Sequence, residues 1–338
     1  MSASPSETRP GDAEVRLAAA LDGLARARLG GEGVIDLTRL TAGASQEIWR
    51  FSLREKGALT PLILRRAPGG ERVADTAIGP EVEAQLLKAA SAAGVPTPRV
   101  VHVLTPEDGL GRGYLMSFVD GETLGGRIAR SEALSDARQV LAGQCGAAMA
   151  AIHRIDPEAF PTLKRVTPRE FVTQYLEAYR ASAWPRPVFD LAFRWLLDRC
   201  PPPPQTPALV HGDFRNGNIM VGPEGLRAVL DWELAHVADP MEDLGWICAN
   251  SWRFGVEDKP VGGFGLRQDL WAGYEAAGGA KVDPDRARFW EVFGSLRWGV
   301  MCSGMANAFR TVDPSIERAV IARRTSETEV DLLRLLAG

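Results

Sequence analysis

The chain has 338 residues, 45% of them hydrophobic and 24% charged, with a net charge of -4 and a pI near 5.7. That balance fits an ordinary globular enzyme with one large or two medium cores and excludes collagen-like, coiled-coil and disordered classes. Mild acidity provides no electrostatic footprint for nucleic acid or an anionic membrane, so neither is expected as a partner.

Met1 to Glu14 is rich in Ser, Pro and charge, lacks the apolar centre of a secretory signal and reads as a disordered tail. No stretch approaches the roughly 18 apolar residues of a membrane span; the Ala-rich run from Leu141 to Ile152 is broken by Gln144. Cys145, Cys200, Cys248 and Cys302 form no CxxC pair, which argues against a zinc ribbon or disulfide framework and for buried thiols in a reducing, cytoplasmic setting.

In chain order, Ala13 to Leu29 has a helical apolar pattern that stops at Gly30-Gly31, so residues 1–33 form a tail and a helix. Strands follow over Ile35 to Leu40 and Gln46 to Leu53, joined by the Thr41 to Ser45 turn, with Trp49, Phe51 and Leu53 on one face and Arg50 and Ser52 on the other. A third strand, Pro61 to Arg66, follows the turn at Glu55 to Thr60. Gly79 to Ala93 is helical in composition and stops at Gly94, and Pro96 and Pro98 forbid its continuation. Two strands, Arg99 to Leu104 and Arg112 to Val119, close this part. Asp120-Gly121 breaks the pattern and divides residues 34–119 from residues 120–338.

Beyond that boundary helices dominate, first over Ser135 to Arg154 and Thr167 to Arg199 and again from Asp239 onward. Between them the Pro201 to Pro204 tract leads to Ala208 to His211 and to a hairpin of Ile219 to Val221 with Leu226 to Leu230, turned at Gly222-Pro223-Glu224-Gly225. The expected fold class is α+β, a sheet-rich first part and a mainly helical second.

The chemistry is concentrated in His211-Gly212-Asp213-Phe214-Arg215-Asn216-Gly217-Asn218 and in Asp231-Trp232-Glu233. Phosphoryl transfer needs its phosphates neutralised by metal and the attacking hydroxyl held in line, and magnesium favours a carboxylate with a few other oxygens. Asn218 and Asp231, at the open end of the hairpin, are a sensible metal pair, and Asp213 is placed to accept the hydroxyl proton. Taken singly, Asp213 could equally cap a turn, Asn218 supply a bend and Asp231 end a strand; the combination HGDxxxxN with a following DWE carries the reading. There is no GxxxxGK[ST], so a Walker-type phosphate loop is not the route to phosphate binding.

These two segments resemble the aminoglycoside phosphotransferase family, relatives of the protein kinases, over about residues 34 to 330. The resemblance implies a bilobal protein-kinase-like fold and an ATP- and Mg2+-dependent small-molecule kinase with Asp213 as base and Asn218 and Asp231 on magnesium. It gives Asp239 and Asp243 structural roles, and His153 and His211 bracing ones. It also implies that the Thr41 to Gln46 turn, with Gly43 and Ser45, closes over ATP phosphates. Arg65 then stands where kinases usually place lysine, with Glu83 as its partner. Glu83 is preferred to Glu81 because Leu86 and Leu87 mark its helix face as buried. Ser117 and Val119 are the backbone candidates for adenine.

HGDFRNGN and Leu64-Arg65-Arg66 are most similar to the branch related to domains fused to acyl-CoA dehydrogenases, which implies a hydroxyacyl-CoA as acceptor, with an aminoglycoside-like compound as another class. Arg215 could meet an anionic substrate or make a loop salt bridge. The alternative to an enzyme is a nucleotide-binding module without turnover, for which the arginine at position 65 is the main argument. Oligomeric state is open.

Overall fold

The computed structural model describes residues 10–40, 46–67, 78–182, 184–312 and 315–337. Its contacts divide the chain into two units, Met1–Ala89 with Pro98–Val119, and Ala90–Thr97 with Asp120–Gly338.

The first unit is a five-stranded antiparallel sheet with order β1-β2-β3-β5-β4. Its strands are β1 Gly33–Leu40, β2 Glu47–Glu55, β3 Ala58–Arg66, β4 Val100–Val103 and β5 Gly113–Ser117. Trp49, Phe51 and Leu53 alternate inward along β2 and lie opposite Leu64, Leu62 and Thr60 of β3. On that face they form one core with Leu17, Leu21 and Leu24 of helix α1, Pro10–Arg28. By strand alternation Ile63 and Arg65 point to the opposite face, where Arg65 meets Glu83 of helix α2, Pro80–Ala92.

Three details differ from the sequence reading. Helix α1 begins at Pro10, inside the stretch expected to be a disordered tail; proline at a first helical position gives up no needed N–H. The β2–β3 turn is only Lys56-Gly57, both with positive φ (49° and 80°), so pairing begins at Glu55 opposite Ala58. Such a two-residue turn matches the strand twist and lengthens the hairpin beyond the expected start at Pro61. Strand β5 ends at Ser117, leaving Val119 outside the ladder.

The second unit is built from helices α3 Gly125–Arg130, α4 Ser135–His153, α5 Pro168–Ala181, α6 Pro187–Asp198, α7 Met241–Trp246, α8 Arg267–Ala276, α9 Pro284–Thr311, α10 Ile316–Arg323 and α11 Thr325–Ala337. Two short two-stranded sheets carry the loop chemistry: β6 Ala208–Val210 with β9 His236–Ala238, and β7 Ile219–Gly222 with β8 Gly225–Val229. The single helix expected over Thr167 to Arg199 is two, because Ser182 leaves helical geometry and Pro187 opens a new helix. Strand β9 was not anticipated, its three residues being too few for a periodic signal. Helices dominate after Asp239 as expected, with a run of turns between α7 and α8.

Helices α4 and α8 meet backbone to backbone. A Cβ on Gly146 would lie 2.1 Å from the Leu270 carbonyl oxygen, and one on Gly273 the same distance from that of Gly143. Gln144, which breaks the apolar run of α4, closes the β7–β8 turn: its amide donates to the Glu224 carbonyl at 3.1 Å and its Oε1 accepts from the Leu226 N–H at 2.8 Å. Among the described residues no helix is long and apolar enough to cross a membrane.

Candidate active site

Strand β6 runs directly into His211-Gly212-Asp213. Gly212 has φ +76°, and a Cβ there would sit 2.4 Å from the Leu234 carbonyl oxygen, so the turn requires glycine. His211 donates from Nε2 to the Leu230 carbonyl at 2.9 Å, and its Nδ1 accepts the Asp213 N–H at 3.2 Å. Because a carbonyl can only accept and an N–H only donate, both ring nitrogens are committed and His211 braces the loop.

The Asp213 carboxylate is held on three sides. Oδ1 accepts from Trp246 Nε1 at 2.8 Å and from Arg215 Nε at 2.9 Å. Oδ2 accepts from Asn218 Nδ2 at 2.6 Å, and the same amide nitrogen donates to the Asp213 carbonyl at 2.9 Å. Both amide hydrogens of Asn218 are therefore spent on Asp213, while its Oδ1 accepts no hydrogen bond among the described residues. Oδ2 of Asp213 keeps a lone pair for a further donor. Asp213 and Asn218 are both buried, 9% and 4% exposed, so few waters compete for these oxygens.

The hairpin register sets Asn218 opposite Leu230, whose N–H donates to the Asn218 carbonyl at 2.8 Å, and Asp231 is the next residue. Asp231 is half-buried with φ 62°, a left-handed conformation that costs a non-glycine residue of order 1–3 kcal/mol. An amide oxygen and a carboxylate at adjoining ladder positions suit a hard cation such as magnesium.

A buried framework supports the loop. Asp243 of α7 accepts the His211 N–H at 2.8 Å, the Gly212 N–H at 2.9 Å and His153 Nε2 at 3.1 Å. Burial alone would raise its carboxyl; the hydrogen bond and charge of His153 and the loop N–H groups outweigh that and hold it below the usual aspartate value. Asp239 accepts from Arg286, Trp290 and the Met241 N–H. Arg297 of α9 donates from one guanidinium nitrogen to the Gly212 carbonyl and to Glu242, both at 3.2 Å, and its guanidinium lies 4.6 Å from the Trp246 ring centroid. Glu242 also takes His236 Nε2 at 3.1 Å; burial opposes a charge on His236, but this carboxylate overrides it and raises the histidine above its ordinary value.

In the first unit Arg65 Nε lies 3.1 Å from Glu83 Oε2, with the two side chains 8% and 0% exposed, and Gln46 Nε2 reaches the same oxygen at 3.3 Å. Glu81 is instead exposed and paired with Arg112 at 2.7 Å. The Ser117 N–H donates to the Arg99 carbonyl and its hydroxyl accepts from the Arg99 N–H, both at 2.9 Å. The backbone N–H and carbonyl of Val119 take no hydrogen bond among the described residues. Gly43 and Ser45 lie outside the described residues.

Sequence reasoning missed Trp246 and Arg297. Trp246 is 33 residues from Asp213 and Arg297 is 84, with nothing in the spacing to couple either to the loop. Arg215 does make the loop salt bridge, and its guanidinium also lies 4.6 Å from the Trp252 ring centroid.

A sheet unit with a buried Arg–Glu pair, and a helical unit whose loop joins an aspartate to an asparagine, make up an α+β protein-kinase-like fold. The model of the phosphotransferase enzyme family matches residues 36–290. The chain belongs to that family of phosphotransferase enzymes. It is 31% identical over 232 residues to acyl-CoA dehydrogenase family member 10 of Mus musculus, covering 64% of this chain but only a fifth (20%) of that relative's length. Its fold is shared with a candidate aminoglycoside phosphotransferase from Ralstonia eutropha JMP134 (TM-score 0.72, 22% identity, 94% of this chain and 97% of the other). It is also shared with a thermostable mutant of aminoglycoside phosphotransferase APH(4)-Ia in ternary complex with AMP-PNP and hygromycin B (TM-score 0.59, 18% identity, 95% and 100%).

Proposed function

We propose that the chain transfers the γ-phosphoryl group of ATP to a hydroxyl of a small molecule, with Asp213 as general base. The observation that carries this is the Asp213 carboxylate: Oδ1 is saturated by Trp246 and Arg215, while Oδ2 is fixed by Asn218 with a lone pair to spare. As the acceptor oxygen bonds to phosphorus and the bond to the leaving ADP breaks, Oδ2 takes the hydroxyl proton.

Asn218 Oδ1 and the Asp231 carboxylate are the groups to hold Mg2+. When bound, Mg2+ neutralises phosphate charge that builds up in transfer. Arg65, held in orientation by Glu83, supplies the cation for the ATP phosphates, and a planar guanidinium suits a bidentate phosphate contact. The adenine edge is the Val119 backbone with the Ser117 carbonyl, the Ser117 N–H being held by Arg99; the unengaged Val119 peptide groups support this reading. Gly43 and Ser45 would cover the phosphates. Residues 1–33, 34–119 and 120–338 serve as tail and helix, nucleotide-binding part, and catalytic and acceptor-binding part.

The acceptor we favour is a hydroxyacyl-CoA, supported by the similarity to a relative named as an acyl-CoA dehydrogenase family member and by a guanidinium, Arg215, beside the base. An aminoglycoside is the second class, supported by the shared fold. A cytoplasmic setting, where ATP and free thiols coexist, fits four free cysteines.

The test is product-detected ATP consumption with Mg2+ across hydroxyacyl-CoAs, aminoglycosides, choline and sugars, comparing wild type with Asp213→Ala. Acceptor-dependent turnover that vanishes in the variant while ATP binding persists is expected. Turnover unchanged in Asp213→Ala would refute the assignment of the base.

A further inference from the structure

The second unit carries a basic cavity that shares no residue with the catalytic loop. It has a volume of about 290 Å3, near the lower end for a small-molecule site, and is walled by α8, α9 and α11. Arg267, Arg288 and Arg334 line it against one carboxylate, Glu291, with Trp271 and Leu335 as its apolar wall.

Both oxygens of Glu291 are already engaged by guanidiniums. Its Oε1 accepts from Arg267 at 2.6 Å and Arg253 at 2.8 Å, and its Oε2 from Arg267 Nε at 2.9 Å. One carboxylate therefore answers two guanidiniums, and Arg267 NH1 makes no hydrogen bond among the described residues. Arg288 is half-buried and pairs with no carboxylate among the described residues; one nitrogen caps the Leu335 carbonyl at 2.7 Å, and its remaining donors are unspent. Arg334 spends one nitrogen on exposed Glu257 at 2.9 Å. With Asp331, whose carboxyl feels both Arg253 and Arg334, the four guanidiniums around the cavity face three carboxylates. The carbonyl end of α11 offsets only about half a charge. Arg288 is the lining guanidinium that has no acid partner among the described residues.

We propose that this cavity binds a phosphorylated adenosine, its phosphate held by Arg288 and Arg334 with Arg267 behind them and its ring against Trp271. Forked guanidinium donors recognise phosphate oxygens bidentately, and an indole face accepts a flat base. Two sources offer that chemistry: the 3′-phosphorylated ADP portion of coenzyme A, which would deepen the acceptor reading above, and a free adenine nucleotide. The site itself stands independently of that reading, because binding here is measured without turnover.

Isothermal titration and thermal shift with free coenzyme A, 3′,5′-ADP, AMP and inorganic phosphate would be compared in wild type, Arg288→Gln, Arg334→Gln, Arg65→Gln and Asp213→Ala. Saturable binding is expected for at least one adenosine phosphate, with a component weakened about tenfold or more in Arg288→Gln and less in Arg334→Gln; binding at the ATP site is a separate component, recognised by its loss in Arg65→Gln and its persistence in Arg288→Gln. A dependence on Arg288 limited to coenzyme A and 3′,5′-ADP assigns the site to coenzyme A; the same dependence for AMP assigns it to a free nucleotide. Arg334→Gln removes only an exposed ion pair, so it reports on the site even if Arg288→Gln folds poorly. The proposal is overturned if none of the probes binds at millimolar concentration, if only inorganic phosphate binds, or if binding is indifferent to both arginine variants.

Discussion

Replacing Asp243 by asparagine preserves the side chain's shape while removing its charge and one of its acceptors. The carboxylate receives three donors, the N–H groups of His211 and Gly212 and the ring of His153, and it is fully buried. An asparagine could turn its oxygen toward His211 and His153, but its NH2 would then face the Gly212 N–H, two donors pointing at each other without water between them. Breaking a buried charged network by removing one partner costs about 3–5 kcal/mol. For a unit of this size each kcal/mol lowers Tm by roughly 2–4 °C, so Asp243→Asn should melt about 6–20 °C below wild type at neutral pH. The sign with pH follows from the depressed carboxyl: its stabilisation is present above the ordinary value of 3.8 and is lost as pH falls through the lower folded value. The gap between variant and wild type should therefore be widest near neutrality and shrink in acid. Differential scanning fluorimetry or urea titration from pH 7.5 downward reads both effects. A variant that melts within about 2 °C of wild type at pH 7.5, below the shift expected for 1 kcal/mol, would refute the anchoring role.

Three further outcomes are expected. Trp246→Phe removes one charge-assisted donor from Asp213 at a cost of roughly 1.5–3 kcal/mol, so kcat should fall about 10- to 150-fold with the KM values nearly unchanged; a change confined to KM would count against it. Glu83→Gln takes the carboxylate from the Arg65 guanidinium 3.1 Å away and should weaken the thermal stabilisation given by Mg2+ and ATP, whereas an unaltered shift would show that Arg65 needs no partner. Gly146→Ala puts a methyl group 2.1 Å from the Leu270 carbonyl oxygen, forcing α4 and α8 apart at a cost of about 1–3 kcal/mol or more, measured as a lower urea midpoint.

Local chemistry was legible in the sequence because it is written locally. The alternation of Trp49, Phe51 and Leu53 declared a half-buried strand, and Leu86 and Leu87 marked the face of α2 that takes Glu83 to the interior. Asp213 and Asn218 are five residues apart in one turn, so their contact needs no distant partner. Trp246 and Arg297 reach the same loop from 33 and 84 residues away, where identity depends on how α7 and α9 pack. The left-handed Asp231 was equally hidden, because the ladder that imposes it is a tertiary fact, and so was the division of α5 from α6, where prolines were present but helical composition outweighed them.

Helix α9 is one unbroken stretch of 28 residues, and it carries both Arg288 of the basic cavity and Arg297 at the Gly212 carbonyl. Nine residues separate them, a rise of about 13.5 Å along the axis. A single inserted or deleted residue in that interval would rotate one arginine relative to the other by about 100°, uncoupling one end while leaving composition and helicity untouched. The middle of α9 therefore tolerates exchange of side chains better than a change of length.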